Sequence, residues 1–80
     1  MIQDQMNDLT NSSERGKLSK REMEVLILIK DGQRNPEIAA SLGLSTKTIE
    51  NHVRSILQKL GAKNRTEAVV TALKQSIIVI

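Results

Sequence analysis

Residues 45–60, STKTIENHVRSILQKL, constrain the fold more than any other part of the chain, because they carry two stripes at helical spacing. Apolar side chains recur every three or four residues, which places them on one face of an α-helix. This pattern predicts a helix whose apolar face packs against a core. The apolar members are Ile49, Val53, Ile56, Leu57 and Leu60.

The second stripe of the same helix carries only side chains that donate or accept hydrogen bonds. We expect it to point away from the core. Such a face can read the edges of bases, but it also fits an ordinary solvated helix surface, and the helix alone does not separate the two. The polar members are Lys47, Glu50, Asn51, Arg54 and Gln58.

A first helix is predicted over about residues 20–31. Ser19 and Glu22 have the spacing of a capping box, in which two side chains satisfy unpaired backbone N–H groups at a helix start. Val25 and Ile29 lie on the apolar face of this helix. Gly32 follows it and favours the left-handed conformation that closes many helices.

A short second helix is predicted to begin at Asn35, a good N-cap, with Pro36 at the first helical position. Gly43 ends it after about two turns, and Ser45 is suited to cap the helix that follows. Two helices joined by so short a turn containing glycine are typical of a helix-turn-helix motif. The pattern is moderately specific, because helical bundles that do not bind DNA also contain it.

A fourth helix is predicted over about residues 65–75, where Asn64 and Glu67 repeat the capping-box spacing. Its outer side carries an apolar strip that four short helices could not also bury. Either a second copy of the chain covers this strip, or the strip widens the core of a single chain. The strip consists of Thr66, Val70, Leu73 and Ile77.

The composition favours a small all-α domain with an aliphatic core, because 39% of the 80 residues are hydrophobic and none is Phe, Trp or Tyr. Without aromatic rings the chain cannot stack bases as single-strand and RNA-binding modules do. It has no Cys and one His, His52, so a metal site or a nucleophile with its base is hard to build. We therefore expect neither an enzyme nor a bound cofactor.

Charge is distributed unevenly along the chain. Residues 1–16 carry one Arg and three acidic residues, whereas residues 17–80 carry eleven Lys or Arg and six Asp or Glu. An excess of positive charge attracts the phosphate backbone of nucleic acids, although it would also serve solubility or an acidic protein partner.

Residues 1–17 are polar with sparse apolar residues, and we expect a flexible lead or linker there, followed by one domain over residues 18–80. The lead could instead be the end of an inter-domain connection or an arm that folds on a partner. The sequence shows no secretion signal and no uncharged apolar stretch long enough to span a membrane. A cytoplasmic location follows as the expectation.

Three strings in order resemble the LuxR/GerE family of bacterial DNA-binding domains: LSKREMEVL at residues 18–26, GQRNPEIAASLGLSTKTIENHV at 32–53 and QKLGAKNRTEAV at 58–69. The resemblance implies a four-helix helix-turn-helix domain whose third helix, about residues 46–60, enters the major groove of double-stranded DNA. It also implies that the fourth helix pairs with its twin in a homodimer. The implied function is sequence-specific transcription regulation, with RNA polymerase as a candidate partner.

The resemblance also assigns roles to individual residues. Positions that approach base edges are Lys47, Glu50, Asn51 and Arg54, and positions that touch the sugar-phosphate backbone are Arg34, Asn35, Thr48, His52 and Lys59. Glu50 departs from the family, in which Lys or Arg is frequent at this position. Its carboxylate could accept a hydrogen bond from cytosine N4, or it could pair with Arg54 one turn later and orient it.

Two other functions fit the same pattern. A promoter-recognition domain of a sigma factor has similar apolar spacing and would need RNA polymerase to act. A protein-interaction module could use the fourth helix to sequester another regulator by heterodimerisation. DNA binding by the purified protein alone would count against the first, and the absence of any DNA affinity at low salt would favour the second.

Overall fold

A computed structural model describes residues 17–79, which form four α-helices and no strand. The helices are α1 (Lys20–Lys30), α2 (Asn35–Leu42), α3 (Thr46–Leu60) and α4 (Arg65–Lys74). The predicted all-α class and the number of helices are confirmed over this range. The expectation of a flexible lead concerns residues 1–17 and, apart from Lys17, lies outside the described residues, as does Ile80.

Helices α1 and α3 begin at the predicted caps. The Ser19 hydroxyl accepts a hydrogen bond from the Glu22 N–H at 3.1 Å, and the Glu22 carboxylate accepts one from the Ser19 N–H at 2.9 Å, which completes the capping box. The Ser45 hydroxyl likewise accepts from the Thr48 N–H at 3.1 Å. Residues with short polar side chains therefore fix the start of both helices.

The starts of α2 and α4 differ from the prediction in one detail each. Helix α2 is capped by Arg34 and not by Asn35, because the Glu37 carboxylate accepts the Arg34 N–H at 2.7 Å and draws the start one residue earlier. Asn64 caps α4 as predicted, but its capping box is incomplete. The Glu67 carboxylate accepts the N–H of Lys63 at 2.6 Å instead of the N–H of the cap residue.

Helix α3 lies at the centre of the fold and packs against each of the other three helices. Its apolar stripe enters the core through Ile49, Val53 and Ile56, while Leu57 and Leu60 are half-buried at the edge. The largest side chains with almost no exposed surface come from three helices: Leu26, Ile38, Ile49, Ile56 and Val25. Burial of one such side chain contributes on the order of 2 kcal/mol before the loss of conformational entropy is counted.

Glycines in the left-handed conformation end α2 and α3. Gly43 has a φ of 69° and Gly61 a φ of 64°, and at both positions a Cβ atom would meet no heavy atom within 4 Å. The short turn after Gly43 joins α2 to α3, so the predicted helix-turn-helix pattern is present.

The chain turns back on itself after α4. Ser76 adopts a φ of 59°, and the N–H of Ile77 then bonds to the Ala72 carbonyl at 2.8 Å. Helix α4 ends at Lys74, close to the predicted end, and Ile77 lies beyond this turn and not on the helix. The turn buries Ile78, which is 5% exposed and which the sequence reading did not place in the core.

The turn at Ser76 predicts a stabilising substitution. We expect Ser76→Gly to raise the free energy of unfolding by about 0.5–1 kcal/mol, because glycine adopts the left-handed conformation without a clash of its own Cβ. Urea denaturation followed by far-UV circular dichroism measures the change. Gln75→Gly is the matched control, and it should lower stability because the φ of Gln75 is −91°. Stabilisation by both variants, or by neither, would contradict this account.

Candidate nucleic-acid interface

The four residues expected to read bases share one exposed face of α3. The buried residues Ile49, Val53 and Ile56 fix the rotation of the helix about its axis, so the polar stripe turns outward. A helix with such a face fits the width of the major groove of DNA. The exposed polar residues are Lys47, Glu50, Asn51, Arg54 and Gln58.

Two weak contacts link these side chains to each other. The Lys47 ammonium lies 3.9 Å from a carboxylate oxygen of Glu50, and the Arg54 guanidinium donates to the Asn51 amide oxygen at 3.5 Å. The pairing of Glu50 with Arg54 that the sequence suggested is replaced by these two contacts. Exposed pairs at such distances contribute at most about 1 kcal/mol, so all four side chains can exchange them for other partners.

The start of α2 brings two further candidate residues together. Arg34 is exposed at the N-cap, and Asn35 follows as the first helical residue. The Asn35 side-chain oxygen accepts a hydrogen bond from the Arg65 guanidinium of α4 at 2.6 Å, which leaves its amide NH₂ as the donor group. The helix dipole favours negative charge at a helix start, where the Glu37 carboxylate already accepts the Arg34 N–H, and Arg65 adds a positive charge beside it.

Thr48 and His52 are half-buried on α3, next to the exposed stripe. The Thr48 hydroxyl is hydrogen-bonded to the Ser45 hydroxyl at 2.9 Å, so it is already held at the start of the helix. Both residues lie one position after a member of the exposed stripe and flank it on one side.

Lys59 is bound within the protein by Glu22, and this contact is the feature of the site that the sequence reading missed. One oxygen of the Glu22 carboxylate accepts from the Lys59 ammonium at 2.8 Å, and the other accepts from the Ser55 hydroxyl at 2.6 Å. Glu22 is 6% exposed. A signal was present, since Glu22 shares its helical face with Val25 and Ile29, and a carboxylate on a buried face requires a partner.

The environment of Glu22 keeps its carboxylate ionised. Burial raises its pKa, but hydrogen bonds from Lys59, Ser55 and the Ser19 N–H, together with the positive charge of Lys59, outweigh burial. The pKa of Glu22 therefore lies below the usual value for a glutamate. The ion pair joins α1 to the C-terminal half of α3.

The strip on α4 is partly covered by the protein itself. Val70 is 43% exposed and Thr66 is exposed, whereas Leu73 and Ile77 are half-buried and pack against the core. The wider-core alternative therefore holds for one end of the strip, while the other end is open. The open end borders a groove lined by Ile29, Lys30, Arg65, Thr66, Val69 and Val70.

No group of three or more His, Cys, Asp or Glu side chains within residues 17–79 is arranged to hold a metal ion. None of the four helices is long and apolar enough to cross a lipid bilayer.

Comparison with known proteins gives consistent matches. The model for bacterial regulatory proteins of the luxR family matches residues 16–72. The response regulator protein VraR of Staphylococcus aureus is 44% identical over 61 residues, which are 76% of this chain and 29% of VraR, and VraR of Staphylococcus epidermidis matches equally well. The chain therefore spans under a third of the length of these curated relatives.

Two solved structures have the same fold. The response regulator ChrA of a heme-sensing two-component system superposes with a TM-score of 0.75 at 40% identity, over 78% of this chain and 31% of ChrA. The transcription factor GerE superposes with a TM-score of 0.71 at 32% identity, over 74% of this chain and 88% of GerE. The four-helix architecture inferred from the sequence is thus confirmed as the GerE-type helix-turn-helix fold.

The lowered pKa of Glu22 predicts a pH dependence of stability. The ionised carboxylate of Glu22 stabilises the folded state fully above the ordinary pKa of a glutamate, about 4.3. This stabilisation is lost as the pH falls through the lower pKa that Glu22 has in the folded state. The free energy of unfolding of the wild type should therefore fall more steeply below about pH 4.3 than that of Glu22→Gln, which cannot titrate there. Urea denaturation across a pH series measures both slopes. Equal slopes for wild type and Glu22→Gln would contradict the assignment.

Proposed function

Because the chain belongs to the luxR family of bacterial regulatory proteins and carries its helix-turn-helix DNA-binding fold, we propose that it binds specific double-stranded DNA sites as a homodimer and regulates transcription. In this proposal α3 lies in the major groove. The observation that carries it is the exposed stripe of hydrogen-bonding side chains on α3, opposite a face that is buried in the core.

Base reading is assigned to the exposed stripe. The Arg54 guanidinium suits the O6 and N7 atoms of guanine, and the Asn51 amide suits the N6 and N7 atoms of adenine. The Glu50 carboxylate can accept from cytosine N4, and Lys47 can donate to bases or to a phosphate. The weak contacts among these four residues would be exchanged for contacts with DNA at little cost. Glu50 repels phosphates, so it favours a site in which it meets a base.

Backbone binding is assigned to residues on both sides of the stripe. The exposed Arg34 and the Asn35 amide suit a phosphate near the start of α2. Thr48 and His52 are proposed to contact the sugar-phosphate backbone beside α3. The Lys59 ammonium donates to Glu22 and retains two further N–H groups for a phosphate. The positive charge of residues 17–80 supports all of these contacts.

Dimerisation is assigned to the strip of Thr66, Val70, Leu73 and Ile77. Its open end is apolar at Val70 and borders the groove between α1 and α4, so a second copy would cover surface that is now exposed. A two-fold dimer places two copies of α3 one turn of DNA apart, which predicts a palindromic site. Action at promoters in the bacterial cytoplasm, beside RNA polymerase, is part of the same proposal.

Selection of binding sites from random duplex DNA tests the proposal. We expect a palindromic sequence to be enriched, and the purified protein to bind it without RNA polymerase in a gel-shift titration across salt. Absence of DNA affinity even at low salt would overturn the proposal and favour sequestration of another regulator through α4.

The assignment of Arg54 to base reading predicts a loss of specificity in Arg54→Ala. Affinity for the selected site should fall by about 1–3 kcal/mol, with a relaxed base preference at one position of each half-site. Gln58→Ala is the control from the same exposed stripe, and it should change affinity much less. Equal losses on the selected and on unrelated sequences in Arg54→Ala would refute its role in reading bases.

The dimer assignment is best tested at Val70. We expect Val70→Arg to shift the protein toward monomer in sedimentation velocity, because two new charges would face each other across the proposed two-fold interface. Val70 is preferred to Leu73, since Leu73 packs against the core and its replacement could unfold the domain. Gln75→Arg adds the same charge at an exposed position just after α4 and should leave the distribution unchanged. An unaltered sedimentation profile for Val70→Arg would reject this interface.

A further inference from the structure

We propose, resting on the DNA-binding function proposed above, that Glu22 is a positioning residue for sequence specificity. It holds α3 at a fixed rotation through Ser55 and Lys59, and it offsets part of the attraction of Lys59 for the phosphates of DNA of any sequence.

The geometry of Glu22 fixes α3 at two points. Its two carboxylate oxygens bind Ser55 and Lys59, which lie one helical turn apart on α3, at 2.6 and 2.8 Å. Two contacts along the axis oppose both rotation of the helix and sliding along it, which one contact could not do. The carboxylate is itself anchored, because it also accepts the Ser19 N–H at the start of α1 at 2.9 Å.

This restraint acts directly on the proposed base-reading face. Ser55 follows Arg54 in the chain, and both are on the same rigid helix, so any rotation that breaks the Ser55 contact also turns Arg54. A guanidinium must be placed within hydrogen-bond distance of two acceptors of one guanine to read it. Binding to the phosphate backbone tolerates a looser orientation. Loss of the Glu22 contacts should therefore reduce specific binding more than non-specific binding.

The charge of the pair supports the same conclusion. The Lys59 side chain is 33% exposed, and its ammonium lies 2.8 Å from a carboxylate oxygen of a side chain that is 7% exposed. The negative charge of Glu22 offsets part of the attraction of Lys59 for phosphates. Removing that charge would leave the full positive charge of Lys59 to the phosphates of any DNA sequence, with the release of a further counterion.

Glu22→Gln tests both effects while it preserves the size of the side chain. The probes are the duplex selected from random DNA and a scrambled duplex of equal length, each titrated across salt. We expect the ratio of the two dissociation constants to fall on the order of tenfold, comparable to one mismatched base pair in a site. The plot of log affinity against log salt for the scrambled duplex should steepen by up to about 0.9, the slope that one further unit of positive charge contributes.

Glu24→Gln is the matched control. It gives the same change of net charge on the same helix, and Glu24 pairs at 3.2 Å with Arg21 on the surface of α1. We expect the specificity ratio and the salt slope of this variant to equal those of the wild type. An equal steepening in Glu24→Gln would show that net charge alone is responsible and would overturn the proposal.

A purely structural role of Glu22 gives a different result. Partial unfolding of Glu22→Gln would weaken binding to both duplexes by the same factor, with an unchanged salt slope, and that outcome overturns the proposal. Circular dichroism in the binding buffer gives the folded fraction.

If Glu22→Gln does not fold, Ser55→Ala provides the test, since it removes one contact and keeps the ion pair. Its specificity ratio should fall without a change in salt slope, and an unchanged ratio overturns the proposal. Failure of the wild type to prefer the selected duplex would instead overturn the proposed function.

Discussion

The packing of α3 against the other three helices is the constraint on which the rest of this structure depends. Ile49, Val53 and Ile56 place one side of α3 in the core, and α1, α2 and α4 are arranged around that side. Because the core contains no aromatic ring in residues 17–79, many small aliphatic contacts hold the helices, and no single large side chain dominates. The orientation of the exposed face of α3 therefore depends on packing throughout the domain.

The buried carboxylate of Glu22 adds direction to this apolar packing. Aliphatic contacts are not directional, so neighbouring helices could rotate slightly at small cost. Hydrogen bonds have preferred angles, and Glu22 makes them with α1 and α3 at once. Burying a charge destabilises the folded state unless the charge is paired. The groups that pair with Glu22 must therefore keep the positions in which they bind it. This combination gives a small aliphatic domain one defined orientation of its outward-facing helix.

Much of the fold was readable from the sequence because local signals agreed with each other. The caps at Ser19 and Ser45 and the left-handed glycines at Gly43 and Gly61 mark helix ends through backbone chemistry that requires no knowledge of distant residues. The exposed stripe on α3 was predicted in the same way, from its spacing. Its members are brought together by one helix, so no long-range information was needed.

The differences from the sequence prediction involve partners distant in sequence, competing groups close by, or a backbone conformation that is rare for the residue. The link from Glu22 to Lys59 spans 37 residues, and the link from Asn35 to Arg65 spans 30, so neither is visible in any local pattern. The cap of α2 was misplaced because two neighbouring residues could begin the helix and a downstream carboxylate favours one of them. Burial of Ile78 depends on a serine in a conformation that serine rarely adopts.

The glycine between α2 and α3 has a consequence for the chemistry of the turn. No heavy atom lies within 4 Å of the place where a Cβ would stand at Gly43, so space does not demand glycine there. The φ of 69° at Gly43 favours glycine, because L-amino acids rarely adopt this angle. A D-amino acid prefers it. The turn therefore selects against L-chirality and not against volume. A D-alanine introduced by peptide ligation adopts this backbone angle readily, and it would stiffen the junction by restricting the unfolded chain.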